Sequence, residues 1–531
     1  MAVTRKRCEN LVCFLLIIPL VLFIVADYAE AEWYNHGGDI SNSRSAVGEF
    51  KISRKTVKNL HLRWKFFVGN DISATPAIAN GVVYVPSWNG YLYALNAFTG
   101  DLVWKQHIGQ LTGLPATRTN VNASVSRTTP VVAGDMLLVG IYGAGVMIGL
   151  ERLTGELVWS TTIDSSPLVV ITSSGTVHLG ALYVGVSSLE ETLPANLCCT
   201  FRGSMVKMDV RTGAILWQTY TLPDNGGRLG GYSGAAIWGS SPSIDIPRGL
   251  VFAATGNLYT APEEVQRCEE EQNNQTTATG PDRCIGPDVN FNSMLAFDMN
   301  TGRIRWSRQL GGYDIFFFAC LVPNNPDCPS GPNLDADFGE APMLLTIFAD
   351  GRVRDVVVAV QKSGFAWCLD RSNGEIVWFR KAGPGGNEGG GIWGAATNGR
   401  MVFTNIANND RIRFRLAPSN MTTTAGAWVA LDANTGEIIW TTANPGNDTC
   451  QGPVSLANGV LFAGSVAANG PLYAMDADTG AILWSYNTGA TIYGGVSASY
   501  GCIYLGHGYT VGVGLFHPWT RGIAIYAFCV F

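Results

Sequence analysis

Apolar and polar positions alternate on both sides of a tight turn, and the chain repeats this arrangement seven times. The copies are Ala94–Trp104 (ALNAFTGDLVW), Gly149–Trp159 (GLERLTGELVW), Lys207–Trp217 (KMDVRTGAILW), Ala296–Trp306 (AFDMNTGRIRW), Cys368–Trp378 (CLDRSNGEIVW), Ala430–Trp440 (ALDANTGEIIW) and Ala474–Trp484 (AMDADTGAILW). In all seven a Gly stands four residues before the Trp. The usual core, Asp or Asn followed by x-x-Thr-Gly, supplies a side-chain acceptor and then a residue free to take positive φ, so it reads as a hairpin turn. The period-two alternation predicts a strand on either side. A Trp held at one place on the second strand reads as a wedge between neighbouring sheets. Repeats spaced by tens of residues, each too small for its own core, indicate a solenoid or a propeller, and four short strands per repeat favour the propeller.

The two ends of the chain complete the count. Leu62–Val68 (LRWKFFV) resembles the Trp-bearing strand of a repeat whose earlier strands are missing, and Thr491–Phe531 holds three strands without the turn and Trp. The N-terminal strand is therefore expected to close the last blade. The expected fold is all-β, an eight-bladed β-propeller of four-stranded blades, with no free edge at the seam. The polar, turn-rich stretch Glu32–Asn59 reads as a surface lead-in. Blade 4 carries a polar insertion at Tyr259–Asn290, and Tyr313–Glu340 is too long for a simple connection between blades 4 and 5. Long loops on a propeller often build the site.

Composition narrows the class. The 531 residues are 47% hydrophobic and 14% charged, with 63 Gly, which suits a turn-rich β protein with a large core. A net charge of −6 argues against a nucleic-acid partner. Arg5, Lys6 and Arg7, the apolar Leu11–Val25 and the small-residue Ala29-Glu30-Ala31 form a secretory signal, so residues 1–31 are expected to be a signal peptide and 32–531 the propeller. The expected location is secreted or extracellular, with no transmembrane span after cleavage. Periplasmic or signal-anchored placement is the alternative. Glycosylation sequons start at Asn122, Asn274, Asn420 and Asn447 and matter in a eukaryotic secretory route. Cleavage removes Cys8 and Cys13 and leaves ten Cys, of which Cys268/Cys284 and Cys320/Cys328 bracket loops as local disulfides. The connectivity of Cys368, Cys450, Cys502 and Cys529 stays open.

The adjacent pair Cys198-Cys199 is the least expected feature. Neighbouring Cα atoms lie roughly 3.8 Å apart, short of the usual ~4.4–6.8 Å for a disulfide, so a ring closed between them is strained. Strain of that kind is kept more often at functional sites, although two Cys bonded elsewhere or reduced remain open. With this pair, the repeats and the lead-in WYNHGGDISNSR, the chain resembles the quinoprotein alcohol dehydrogenases, and within them the polyvinyl alcohol dehydrogenase-like branch. The resemblance covers nearly all of the chain after the signal. Its sharpest segments are SRTTP (Ser126–Pro130), SSLEE (Ser187–Glu191), CCTFRG (Cys198–Gly203), DFGEAP (Asp337–Pro342) and QKSGFAWCLDRSNG (Gln361–Gly374).

The resemblance implies pyrroloquinoline quinone and a calcium ion on the propeller axis. The quinone carries three carboxylates, so cations must line its pocket. By resemblance Arg127 meets a carboxylate, Lys362 reaches the quinone side and Thr172 donates a hydroxyl. Trp238 is the flat floor, the Cys198–Cys199 ring covers the other face, and Trp393 is a further candidate beside a plain packing role. Glu190, with Glu191 one slip away, and Asn257 match the metal ligands. The proton-removing carboxylate is where the pattern departs. The family's His-Asp-x-Trp-Asp run is here Tyr313-Asp314-Ile315-Phe316-Phe317, with Phe in the catalytic place, and Phe accepts no proton. Asp314 is the retained carboxylate, and Asp335 or Asp337 could substitute from the nearby loop.

The implied activity is oxidation of an alcohol, small or polymeric, by a quinone-dependent oxidoreductase acting on CH–OH groups. No Cys-x-x-Cys-His haem motif is present, so electrons need a separate acceptor. The rival is a catalytically degenerate propeller that binds protein or glycan, since fold resemblance alone does not confer activity.

Overall fold

A computed structural model describes residues 32–531 apart from 116, 119–120, 123, 240 and 273–281; the expected signal peptide and the Asn274 sequon lie outside the described residues. Eight four-stranded antiparallel sheets stand in a ring. Blade 1 is Ala77–Ala79, Val82–Pro86, Tyr91–Asn96 and Leu102–His107. Blades 2 to 7 span 131–162, 176–220, 243–309, 343–381, 396–443 and 455–487. Blade 8 joins Ser497–Ser499, Cys502–Gly506 and Ala524–Cys529 to the N-terminal strand His61–Phe67, as the sequence predicts. The first strands of successive blades adjoin one another and so lie innermost.

The repeated Trp is the ring's docking element. Trp64, Trp104, Trp159, Trp217, Trp306, Trp378 and Trp440 each donate their indole N–H to a backbone carbonyl in the next blade's turn, at 2.9–3.2 Å. Trp484 donates to Leu60 just before the closing strand. The turn Gly serves two ends at once. Gly436 takes φ +71°, and a Cβ there would also sit 2.5 Å from the Trp378 ring of the preceding blade. Trp440, 2% exposed, shows what one wedge contributes. Trp440→Ala is expected to destabilise the protein by about 3–5 kcal/mol through the cavity and lost burial. A chemical-denaturation midpoint should register this, with little change for the more exposed Ile439→Ala.

The lead-in corrects the expectation of a surface segment. Trp33, Asn35, His36, Asn42 and Arg44 are buried. The segment runs across one end of the ring and touches every blade. Trp33 exchanges backbone hydrogen bonds with Ile78 in blade 1, Val132 donates to Tyr34 from blade 2, and Asn35 Nδ2 donates to Thr176 Oγ1 in blade 3. Ile244, Leu344, Thr397 and Leu456 donate to the carbonyls of Ile40, Ser41, Ser43 and Arg44, and Gly501 donates to the Glu49 carboxylate. The inner strands present backbone groups that need partners, and a polar, irregular chain can supply them. Polarity here marks a plug and not exposure.

The long connections gather at the other end. They join second to third strands or one blade to the next: 188–204, 254–293, 309–343, 406–427 and 506–524. Cys268–Cys284 clips the blade 4 insertion, where Glu263–Glu271 is helical, and Cys320–Cys328 clips the following loop. Cys198 is bonded to Cys199, and Cys502–Cys529 ties two strands of blade 8. Cys368 and Cys450 are free and buried.

Candidate active site on the propeller axis

The loop-rich end opens into a cavity of about 410 Å³. Its walls come from seven blades, including Arg127 before blade 2, Thr172 before and Glu191 within blade 3, Trp238 before blade 4, Lys362 in blade 5, Trp393 before blade 6, Gln451 before blade 7 and Tyr509 in blade 8. Only the axis is within reach of so many blades. A larger groove, of about 960 Å³, runs along the lead-in at the opposite end past Tyr34, Asp39 and Val131. It is a surface furrow without converging cations, so the axial cavity is the candidate site.

One wall of the cavity is cationic and aromatic. The Arg127 guanidinium lies 3.9 Å from the centre of the Trp393 ring and donates to the Tyr509 hydroxyl at 3.3 Å. Tyr509 stacks on Tyr493 at 4.2 Å, and Tyr493 accepts from Trp393 Nε1 at 2.6 Å. Trp238 meets Trp393 edge to face at 4.9 Å. Among the described residues no carboxylate lies within ion-pair reach of Arg127. A guanidinium so placed has unspent capacity for a carboxylate ligand.

The facing wall is acidic. Lys362 Nζ lies 2.9 Å from Asp335 and 3.3 Å from Asp337, and 5.3 Å from the Trp238 ring centre. Asp337 also accepts from Trp238 Nε1 and from the Asn257 backbone N–H. Glu191 adds a third carboxylate against one ammonium. Burial first, then the charge of Asp337, pushes the Glu191 carboxyl up to about 7, with Lys362 opposing. Burial also raises Asp335, against the pull of Lys362. Burial works against the Lys362 charge, but Asp335 and Asp337 outweigh it and hold the ammonium charged. Surplus negative charge of this kind suits a hard cation.

Of the other sequence candidates, only Thr172 is in the lining. Glu190 is buried, and its carboxylate accepts from Thr200 N and Phe201 N, both at 2.7 Å, and from Thr200 Oγ1, so it pins the chain after the cysteine pair. The adjacent Glu191 is the one in the cavity. Cys198 and Cys199 pack behind the 188–192 wall, with Cys199 Sγ 3.5 Å from the Glu190 carbonyl. Asn257 is buried beneath, its amide donating to the carbonyls of Leu258 and Phe316. Asp314 accepts from the backbone of Leu334, Asp335 and Ala336 and from Asn292 Nδ2, and burial lifts it to about 6. It shapes the loop that presents Asp335 and Asp337. Phe317 is 2% exposed in the same apolar cluster as the cysteine pair. Thr172 lines the cavity while donating to the Trp238 carbonyl at 2.9 Å.

Residues 510–522 form a strap over the mouth that the sequence did not announce. Asp71 holds both feet, accepting from Thr510 N, Thr510 Oγ1 and Gly522 N, each at 2.7 Å. Its tip places Gly512, Val513 and Phe516 in the cavity wall, and His517 pairs with Glu388 at 2.8 Å across the opening. The available signal was weak: Tyr493, Tyr509 and Trp519 are aromatics off the repeat, like Trp238.

Fold and site together define an eight-bladed propeller with a strapped cavity on its axis. The family model described as "Outer membrane protein assembly factor BamB" (PQQ_2) matches residues 53–308 and 425–508. A polyvinylalcohol dehydrogenase of Pseudomonas sp. is 30% identical over 491 residues, covering 87% of this chain and 68% of that protein. Quinohemoprotein alcohol dehydrogenase ADH IIB of Pseudomonas putida is 25% identical over 67% of this chain and 48% of its own length. The crystal structure of quinohemoprotein alcohol dehydrogenase from Comamonas testosteroni superposes with a TM-score of 0.69 at 20% identity, covering 96% of this chain and 82% of that one. The chain belongs to the quinoprotein alcohol dehydrogenase-like β-propeller family.

Proposed function

We propose that this protein is a secreted, pyrroloquinoline quinone-dependent dehydrogenase that oxidises an alcohol with calcium assistance and passes electrons to a separate acceptor. The observation that carries the reading is Arg127, a guanidinium on an indole face at the axis with no carboxylate partner among the described residues. The donor set fits the quinone: Arg127 and Lys362 for its carboxylates and carbonyls, Thr172 at the edge, and Trp238 and Trp393 as apolar surfaces. Glu191 and Asp337 would hold the calcium, whose preference is for such oxygens. When bound, the quinone supplies the acceptor for the substrate's electron pair and the calcium a Lewis acid.

The chain's own residues then orient and exclude. Arg127 and Lys362 grip from opposite walls. Asp335, placed by Asp314, would take the alcohol proton in the position where this chain carries Phe317 instead of a carboxylate. The strap, with Val513 and Phe516, shields that proton transfer from bulk water. The test is to add quinone and calcium to the mature chain and follow binding and dye reduction with simple alcohols. Binding without reduction would leave the degenerate-propeller reading in possession; no binding would remove the quinone. Lys362→Ala is expected to weaken quinone affinity about tenfold or more, whereas Lys207→Ala, whose ammonium donates to the Met299 carbonyl well outside the cavity, should change nothing. Equal effects would count against the assignment.

A further inference from the structure

We propose that His36, carried by the N-terminal plug, is a positioning residue for the axial cavity: its Nε2–H holds the Trp393 carbonyl and, through it, the indole on which Arg127 lies. The ligand half of this inference rests on the quinone reading above.

Trp393 takes φ +72°, a left-handed conformation that is an outlier for so bulky a side chain. Such a residue persists only where its surroundings over-determine it. Three hydrogen bonds help to fix it. Its N–H donates to the Gly339 carbonyl at 2.8 Å, its Nε1 donates to Tyr493, and its carbonyl accepts from His36 Nε2 at 2.6 Å. The third comes from outside the blades, from the segment that seals the opposite end of the axis.

The imidazole is set for this task. Its Nδ1 faces two hydroxyls, Thr129 Oγ1 at 3.3 Å and Thr75 Oγ1 at 3.4 Å, which can donate. The Trp393 carbonyl can only accept, so the proton belongs on Nε2. Burial and then the neighbouring Arg44 push the His36 pKa well below its ordinary value, so the ring stays neutral and keeps this tautomer. Arg44 leaves no slack beneath the next residue. A Cβ on Gly394 would sit 2.7 Å from Arg44 Cδ. The plug therefore sets the height of the cavity floor and is more than a seal. A void of about 20 Å³ is lined by His36 from the plug and by Arg127, Thr172 and Trp393 from the site.

The experiment compares His36→Leu, His36→Asn and His36→Gln in the mature protein. Gln can place an N–H donor where Nε2 stands; Asn stops a bond short; Leu has no donor. Quinone affinity, read from quenching of tryptophan fluorescence, is expected to fall about tenfold in His36→Leu and His36→Asn and to stay within about twofold of the parent in His36→Gln. Near-ultraviolet circular dichroism of the Trp238–Trp393 pair, taken without ligand as a difference against Trp393→Phe, should follow the same order. A folded His36→Leu with parental affinity and an unchanged dichroism difference would overturn the proposal. If His36→Leu fails to fold, equal behaviour of the Asn and Gln variants overturns it instead. Should the parent protein take up no quinone, the ligand reading fails and the dichroism order alone decides the positioning role.

Discussion

Replacing Arg127 by alanine is expected to lower quinone affinity about a hundredfold while leaving the propeller folded. The side chain spans the aromatic wall: face-on to Trp393, within 5.9 Å of the Tyr493 ring centre and bonded to the Tyr509 hydroxyl. None of these neighbours needs the positive charge to keep its place, since Trp393 is fixed by Gly339, His36 and Tyr493. A bound carboxylate, by contrast, would lose its charge-assisted partner in a site shielded from water, a loss worth about 2–5 kcal/mol. At about 1.4 kcal/mol per decade that is roughly one and a half to three and a half orders of magnitude. Lysine should restore only part of this, because an ammonium neither lies flat on an indole nor offers the paired N–H groups of a guanidinium. Direct titration with quinone measures the effect, with Arg211→Ala as control; Arg211 pairs with Asp135 on an exposed outer turn. An Arg127→Ala protein that binds as the parent does would leave the axial cavity without its anion-binding group.

The blade count, the closing strand and the docking role of the Trp were legible because each depends on a local pattern repeated seven times. A two-residue period, a turn Gly and a fixed Trp leave little freedom. The site was legible only where a side chain breaks the repeat. Arg127 and Trp238 stand ahead of their blades and Lys362 in a blade 5 hairpin, all outside the Trp repeat, and the structure brings them into one cavity. What failed did so for lack of depth information. Nothing in LEE tells which of two neighbouring glutamates turns inward; the short helix Glu190–Thr192 decides it, sending Glu190 to the backbone of Thr200 and Phe201 and Glu191 to the cavity. The polar lead-in read as surface because composition cannot distinguish polar groups that meet water from polar groups that meet unpaired backbone. Asp314 looked catalytic because it survives in a catalytic run, yet its oxygens are taken by the loop it supports. The strap depends on Asp71 joining Thr510 and Gly522, a contact across more than four hundred positions that no local reading could supply.

That inward turn of Glu191 makes the acidic wall sensitive to pH, and Glu191→Gln should reveal it. Burial and Asp337 raise the carboxyl from an ordinary 4.5 to about 7. A raised carboxyl binds its proton more tightly in the folded chain than in the unfolded one, so it favours folding at low pH and loses that contribution as pH rises from 4.5 through about 7. Without calcium, Glu191→Gln should therefore melt at a higher temperature than the parent at about pH 8 and no higher at about pH 4. The carboxyl opens into a cavity that water can enter, so the gain is put at about 1–2 kcal/mol. Calcium reverses the order. The cation needs the deprotonated oxygen, so its stabilisation of the parent should grow across the same pH interval as protons leave Glu191 and its neighbours. Lys362 pairs with both Asp335 and Asp337, so one ammonium faces three carboxylates and the cation would answer the surplus charge. In Glu191→Gln the calcium-induced rise in melting temperature should be small at every pH. A calcium response equal in the two proteins at about pH 8 would place the cation elsewhere, and with it the proposed division of the acidic wall between metal and proton would fall.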